Sequence, residues 1–349
     1  MSATNSTAAA LPTALALIGA LALPDDDRTR VLAKEIVIPP TPVAVERFYA
    51  GEERISICSF NIQFLGNSRR RDCGALGAVL AGFDIVVVQE LVSPPYEGKF
   101  SGGKKFTPDQ EAAEFFDVMI TLGFEYVLSN EDTGTGDTIH RNGSATEWWV
   151  AFYQPDRVQV AEDLPAGFLA ADRSNHADYE RVPFAFPFRT FDGGSDFVLI
   201  SVHLQPGART ANAKRRRHEL ASIGKWVDQH DEVEKDFIII GDMNIEDAEE
   251  LAEATPEGFA SLNDETVQTN TNVRSPKPYD HAMIHLDGSG EIDRSFDFKV
   301  VNIVEIMENL WKSTDPYPGN PYKHNPFRAF FSDHHPVVIH LTFQEEDDD

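Results

Sequence analysis

The chain has 349 residues, 42% apolar and 25% charged, which suits one large globular domain or two ordinary ones and excludes a disordered tail, a collagen or a disulfide scaffold. Fifty-seven Asp and Glu against thirty Lys and Arg leave a formal net charge of −27, so a role that coats nucleic-acid phosphates with a basic face starts at a disadvantage. Two cysteines, Cys58 and Cys73, rule out a four-thiolate zinc site, and the surplus of carboxylates leaves open that some are gathered around a cation.

Residues 8–23 are rich in Ala and Leu and about as long as a secretory apolar region. No Lys or Arg precedes them, and Pro12 interrupts them. They are also too short to span a bilayer, so no transmembrane segment is expected. Residues 1–50 are read as an N-terminal extension, either signal-like or loosely ordered, and the localisation stays open. Prolines at 39, 40 and 42 make the end of that extension an extended linker. Residues 51–343 then form one continuous body without an internal repeat, and 344–349 are an acidic tail.

Within the body, apolar and β-branched runs predict strands at 55–60, 85–89, 148–153, 197–203, 237–240, 281–285 and 336–343. Helical spacing predicts helices over 108–122 and 210–230. The mixture is too varied for an all-β sandwich and too irregular for a βαβ barrel, which points to an α+β protein of two packed sheets with helices outside.

Polar and ionisable residues stand repeatedly at the strand ends, where rigid elements can present side chains to a common cleft. Each has an ordinary reading. Asn61 is a good turn residue, and so are Asp242 and Asn244, although their alternate positions would let them point the same way. Glu90 ends an apolar strand, where a carboxylate is costly unless solvated, paired or bound to a metal. His203 on its own reads as a core histidine, whereas His334 has Asp333 beside it as ligand or orienting partner. Trp148 and Trp149 read as core and surface positions of a strand. Lys214 to Arg217 reads as a solvated helix face, and Lys104 and Lys105 as a loop. Taken jointly, oxygen donors suited to Mg²⁺ or Mn²⁺ and two histidines suited to proton transfer are what phosphate-ester hydrolysis requires.

Five segments in order resemble the motifs of the endonuclease/exonuclease/phosphatase superfamily, and within it the pancreatic-DNase-like nucleases: Ser59 to Gly66, Asp84 to Glu90, Gly241 to Asn244, Tyr279-Asp280, and Ser332 to Val337. The resemblance implies a four-layered α/β sandwich, with two mixed sheets flanked by helices and a cleft at the top. It further implies Glu90 as the main Mg²⁺ ligand, with Mn²⁺ as a substitute and with Asn61 and Asp333 near the metal. Asp242 and Asn244 would position water and phosphate. His334, oriented by Asp280, would be the general base, and His203, paired with Glu147, the general acid. Arg181 would hold the phosphate. The implied activity is endonucleolytic cleavage of DNA by a monomer, with RNA as an alternative substrate, a phosphatase or phosphodiesterase acting on a phosphorylated small molecule, inositol phosphate or phospholipid as the runner-up, and a catalytically silent binding protein on the same fold as a third reading. The minor-groove readers of the DNase-like members have no counterpart in 92–96 or 144–147, so DNA contact would fall to Tyr96, Lys99, Lys104 or Lys105.

Overall fold

The computed structural model describes residues 36–342 except 69, 101–102, 135–145, 174–175, 192–193 and 287–297; segment 8–23, the tail 344–349 and Phe343 therefore lie outside the described residues. The first part of the chain forms α1 (Val43–Glu46), β1 (Arg54–Leu65), α2 (Cys73–Leu80), β2 (Ile85–Leu91), β3 (Gly98–Lys99), β4 (Lys105–Phe106), α3 (Gln110–Thr121), β5 (Glu125–Leu128) and β6 (Trp148–Tyr153). It continues with β7 (Val158–Val160), β8 (Gly167–Phe168), β9 (Phe184–Thr190), β10 (Asp196–His203), α4 (Thr210–Val227), β11 (Phe237–Asp242) and α5 (Ala248–Ala254). The last elements are β12 (Phe259–Ser261), β13 (Asp280–His285), β14 (Lys299–Val300), α6 (Ile303–Ile306), α7 (His324–Phe330) and β15 (Val337–Thr342).

One sheet has the order β14-β15-β1-β2-β6-β5; the other has β12-β13-β11-β10-β9-β7, with β8 also on β9. Both are mixed. The pairs β1/β2 and β10/β11 are parallel, and each is joined by a helix, as a parallel connection needs, while β15, β6, β9 and β13 add antiparallel neighbours.

Every second residue of the central strands faces the other sheet. That inner face carries Ile55 and Ile57 of β1, Ile85 and Val87 of β2, Phe197 and Leu199 of β10, and Ile238 and Ile240 of β11, closed over by Trp149, Phe186 and Ile339. The outer face of the first sheet packs on α2, α3, α6 and α7, and that of the second on α4 and α5. The result is the expected four-layered sandwich.

Several elements differ from their sequence-based bounds. β1 runs to Leu65 and β11 to Asp242, so Asn61 and Asp242 lie inside strands rather than after them. α3 starts at Gln110 because the Asp109 carboxylate accepts from the Glu111 N–H and caps it. Trp148 and Trp149 are both core, packed on opposite faces of β6. Cys58 and Cys73 are buried, unbridged thiols.

Candidate active site

Continuing the same alternation to one end of the strands turns the inner face from apolar to polar. In β1 it runs Ile55, Ile57, Ser59, Asn61; in β10, Phe197, Leu199, Ser201, His203; in β11, Ile238, Ile240, Asp242. A layer of neutral polar groups separates the two regimes: Ser59 Oγ donates to Gln89 Oε1 (3.2 Å) and Gln89 Nε2 donates to Ser201 Oγ (3.3 Å), joining the sheets. Above it, strand register lines up three ionisable residues, His203 opposite Asp242 and Asp242 opposite Asp280.

Irregular backbone completes the arrangement. Register shifts interrupt β1/β2 between Asn61 and Leu65 and β2/β6 between Val88 and Leu91. Within them Glu90 has φ +63° and Phe64 φ +51°, a conformation costly for side-chain-bearing residues and typical of functional sites. Hydrogen bonds hold it: the Glu90 N–H donates to Glu147 Oε2 (2.7 Å), and the Phe64 N–H donates to Glu90 Oε2 (2.9 Å).

Five ionisable groups then form a row. Glu147 Oε1 lies 3.0 Å from His203 Nδ1, and His203 Nε2 lies 3.5 Å from Asp242 Oδ2. The same Asp242 oxygen is 3.6 Å from His334 Nε2, while His334 Nδ1 is 2.8 Å from Asp280 Oδ2. Each imidazole is thus backed on Nδ1 by a buried carboxylate and turns Nε2 toward Asp242, which fixes ring orientation and favours one tautomer. Arg181 braces one end, with Nε 2.9 Å from Glu147 Oε1 and Nη1 donating to the His203 carbonyl (3.2 Å). The Asn244 N–H donates to Asp242 Oδ1 (2.9 Å), and its side-chain amide donates to the Leu204 carbonyl (3.3 Å).

The electrostatics follow from burial and crowding. Burial, assisted by Asp280 and Glu90 and opposed by both histidines, pushes the Asp242 carboxyl up to about 6. Burial works against charge on His334, but Asp280, Asp242 and Asp333 outweigh it and raise the imidazole well above its ordinary range. For His203, burial and Arg181 disfavour the cation, and Glu147 with Asp242 overcomes them, again a rise. Burial disfavours charge on Glu147 too, yet His203 and Arg181 hold it below the usual carboxylate range.

No protein-family model matches the sequence, and no curated protein matches it. Solved structures do. An endonuclease/exonuclease/phosphatase family protein from Bacteroides thetaiotaomicron matches with a TM-score of 0.50 at 16% identity, over 83% of this chain and 98% of that one. A mannosyl-6-phosphatase of the same organism gives 0.51 at 16% identity, over 83% and 100%. D. rerio TDP2 complexed with single-strand DNA product gives 0.50 at 13% identity, over 83% and 99%. The fold is that of the endonuclease/exonuclease/phosphatase superfamily.

On this superfamily fold, the donor set fits a hard cation. Glu90, His203 and Asp242 form one group whose ligand atoms lie within 4.8 Å of one another, and Asp242, Asp280 and His334 form a second. Asn61 sits between two carboxylates, its Nδ2 donating to Glu90 Oε1 (3.1 Å) and Asp242 Oδ2 (3.0 Å), while its buried Oδ1 has no partner. The buried Oδ1 of Asp333 likewise has none. Crowded carboxylates beside unsatisfied oxygens are what a divalent cation relieves. Asp333 belongs to neither close group; its other oxygen accepts from Gln63 Nε2.

Nine of the ten sequence-predicted site residues, Asn61, Glu90, Glu147, Arg181, His203, Asp242, Asn244, Asp280 and His334, are joined by direct contacts, and Asp333 reaches them through Gln63 and Ser332. Two further participants are Gln63 and Ser332. Gln63 is the next alternate residue after Asn61, a position that a strand ending at Phe60 leaves outside the sheet. Ser332 Oγ donates to the Asn61 carbonyl (2.6 Å) and accepts from the His334 N–H (3.2 Å), tying β1 to the His334 loop. The run 214–217 is not a uniformly solvated face. Arg216 is fully buried against Glu250, Arg217 pairs with Glu253, and Arg215 donates to the carbonyls of His176 and Ala177. Tyr96 packs inward against the first core. Among the described residues no helix is long and apolar enough to cross a membrane.

Proposed function

We propose that the protein is a Mg²⁺-dependent phosphodiesterase, with Mn²⁺ as a substitute, that cleaves DNA as an endonuclease by in-line attack of water on phosphorus. The observation that carries this reading is the single Asp242 oxygen flanked at 3.5 and 3.6 Å by the Nε2 atoms of two histidines, each with its own buried carboxylate. Hydrolysis of a phosphodiester needs a base for the water, an acid for the departing oxygen and positive charge at the phosphoryl oxygens. With Asp280 holding Nδ1, His334 in its neutral form presents Nε2 to take the water proton, and because Asp280, Asp242 and Asp333 favour its cation the rate is expected to rise with pH as that proton is lost. With Glu147 holding its Nδ1, His203 arrives protonated and gives its proton to the leaving oxygen. Asp242 and Asn244 orient the water and the phosphate, and Arg181, already fixed by Glu147 and the His203 carbonyl, holds the phosphate. A cation held by Glu90 and Asn61, with Asp333 near it, would neutralise charge developing on the phosphoryl group.

The test is nicking of supercoiled plasmid with Mg²⁺ or Mn²⁺ and with EDTA. Wild-type protein is expected to nick only with metal, and His334→Ala or Glu90→Ala to lose about 10²–10⁴-fold in rate. Absence of cutting on any DNA or RNA across divalent ions defeats the reading. A second reading, a phosphatase acting on a phosphorylated sugar, inositol phosphate or phospholipid, is supported by the net charge of −27 and by the internal pairing of Arg215 to Arg217. Release of inorganic phosphate from such substrates, with plasmid left intact, would select it.

A further inference from the structure

Three of the chain's eleven lysines, Lys99, Lys104 and Lys105, fall within seven residues of a protein whose net charge is −27. Lys99 and Lys105 are direct partners in the antiparallel pair β3/β4, so their side chains share a face, and all three lysines are exposed. Like charges opposite one another destabilise a ladder, and among the described residues no carboxylate forms a salt bridge with any of the three.

The hairpin is nevertheless firmly seated. Alternation puts Phe100 and Phe106 on its other face, against the Trp148 ring at centroid distances of 6.1 and 4.8 Å. Gly98 lets Phe106 lie across the backbone, since a Cβ there would meet the ring at 2.1 Å. The Phe100 N–H donates to the Lys104 carbonyl (2.9 Å) and closes the turn. Trp148 follows Glu147 directly and pairs with Leu91, the residue after Glu90. The hairpin is therefore fixed on the outer face of β6 at the end of the sheet from which Glu90 and Glu147 come, with its lysines turned to solvent.

We propose that this hairpin grips the phosphodiester backbone of a polynucleotide, with Lys99 and Lys105 taking phosphates beyond the one being cut. The proposal rests on the phosphodiesterase reading and gives its substrate class. A small phosphoester ends within the row, whereas a polynucleotide carries further phosphates across the hairpin to the opposed ammonium groups. An anionic membrane suits the hairpin less well, because interfacial binding uses outward apolar side chains and here both phenylalanines point inward onto Trp148.

The test uses the full chain carrying Lys99→Gln and Lys105→Gln together, with Lys99→Arg and Lys105→Arg as the charge-preserving control. Binding of short fluorescein-labelled single-stranded and duplex oligonucleotides is followed by anisotropy in EDTA, so the readout does not depend on turnover. Expected are a Kd about five- to tenfold higher for the Gln pair and a log–log salt slope smaller by about 1.4–1.8, the counterion release of two phosphates, with the Arg pair restoring both. The ratio of kcat/KM on the oligonucleotide to that on bis(p-nitrophenyl) phosphate should fall by a similar factor. An unchanged Kd and slope in a wild-type-like nicking enzyme overturns the grip and leaves the phosphodiesterase reading intact. Lysine-dependent binding by a protein that cuts nothing defeats that reading and leaves the grip standing. Lysine-dependent binding to phosphatidylcholine vesicles with about 20% phosphatidylserine, without any to oligonucleotides, also overturns the proposal.

Discussion

Gly241 shows how much of the site depends on one backbone position. Its φ is +142°, and a Cβ there would meet the Val202 carbonyl oxygen at 2.2 Å. That oxygen is main chain of the neighbouring strand and cannot swing aside. Val202 and Gly241 are register partners, and the next pair along is His203 and Asp242. Gly241→Ala should therefore cost roughly 2–4 kcal/mol, combining backbone strain with overpacking between strands, and should also spread His203 from Asp242. Urea unfolding and plasmid nicking check it; wild-type stability would show that the two strands do not approach this closely. In the sequence Gly241 stands in Gly241-Asp-Met-Asn244, whose composition is that of a turn, and the apolar run that predicts the strand ends at Ile240. The reason is general to this site. Asn61 and Asp242 look like turn chemistry in one dimension, yet they continue the inner face of strands whose far ends are apolar. Recognising that requires knowing where the two sheets stop being packed on each other.

At the scale of elements, α4 is the clearest link between helix and site. Its spacing was legible because Leu220, Ile223, Gly224 and Val227 make a regular buried stripe. The stripe also contains two charged residues, Arg216 and Glu219. Arg216 donates through Nη1 to the carbonyls of Gln205 (2.8 Å) and Gly207 (2.9 Å). Glu219 accepts from the Glu180 N–H (2.7 Å) and the Gln205 N–H (3.0 Å), tethering the segments that carry Arg181 and His203. Burial lifts this carboxyl from its ordinary 4.5 to about 7, despite those two hydrogen bonds and the nearby Arg215 and Arg181. The folded state then holds the proton more tightly than the unfolded chain, so Glu219 stabilises most below about 4.5 and loses that contribution as pH rises through 7. Glu219→Gln has no charge to desolvate but can accept only one of the two N–H groups. The stability gap between wild type and Glu219→Gln should be wider at pH 5 than above neutrality by on the order of 3 kcal/mol, measured by urea unfolding at both pH values. A gap that does not change with pH would show that the carboxyl is not protonated in the fold. α2 marks the opposite limit of legibility. All eight of its residues are buried, so it has no polar face and no helical period to read.

Across the whole molecule, the sandwich gathers Glu90, Glu147, Asp242, Asp280 and Asp333 at one end of an already acidic protein, and their mutual repulsion is a cost the rest of the core has to offset. Asp242 and Asp333 are both held above the ordinary carboxylate range, first by burial and then in part by Glu90. If a divalent cation occupies this end, it removes that repulsion, and folding and metal binding must be coupled. At a Mg²⁺ concentration about a hundredfold above Kd, the gain is roughly 3 kcal/mol, or a rise of about 5 °C in Tm. General screening of a charge of −27 would also raise Tm, so the comparison has to be made against NaCl at equal ionic strength. Glu90→Gln separates the two effects. In EDTA it relieves Asp242 and Asp333 of a negative neighbour but leaves either Asn61 Nδ2 or the Phe64 N–H without its acceptor, so the two proteins should lie close in stability, whereas in Mg²⁺ the variant should fall well below wild type because the principal ligand is gone. Thermal unfolding of both proteins in EDTA, NaCl and MgCl₂ tests this divergence. Parallel shifts in the two proteins would place the cation's effect in bulk screening and remove Glu90 from the proposed metal site.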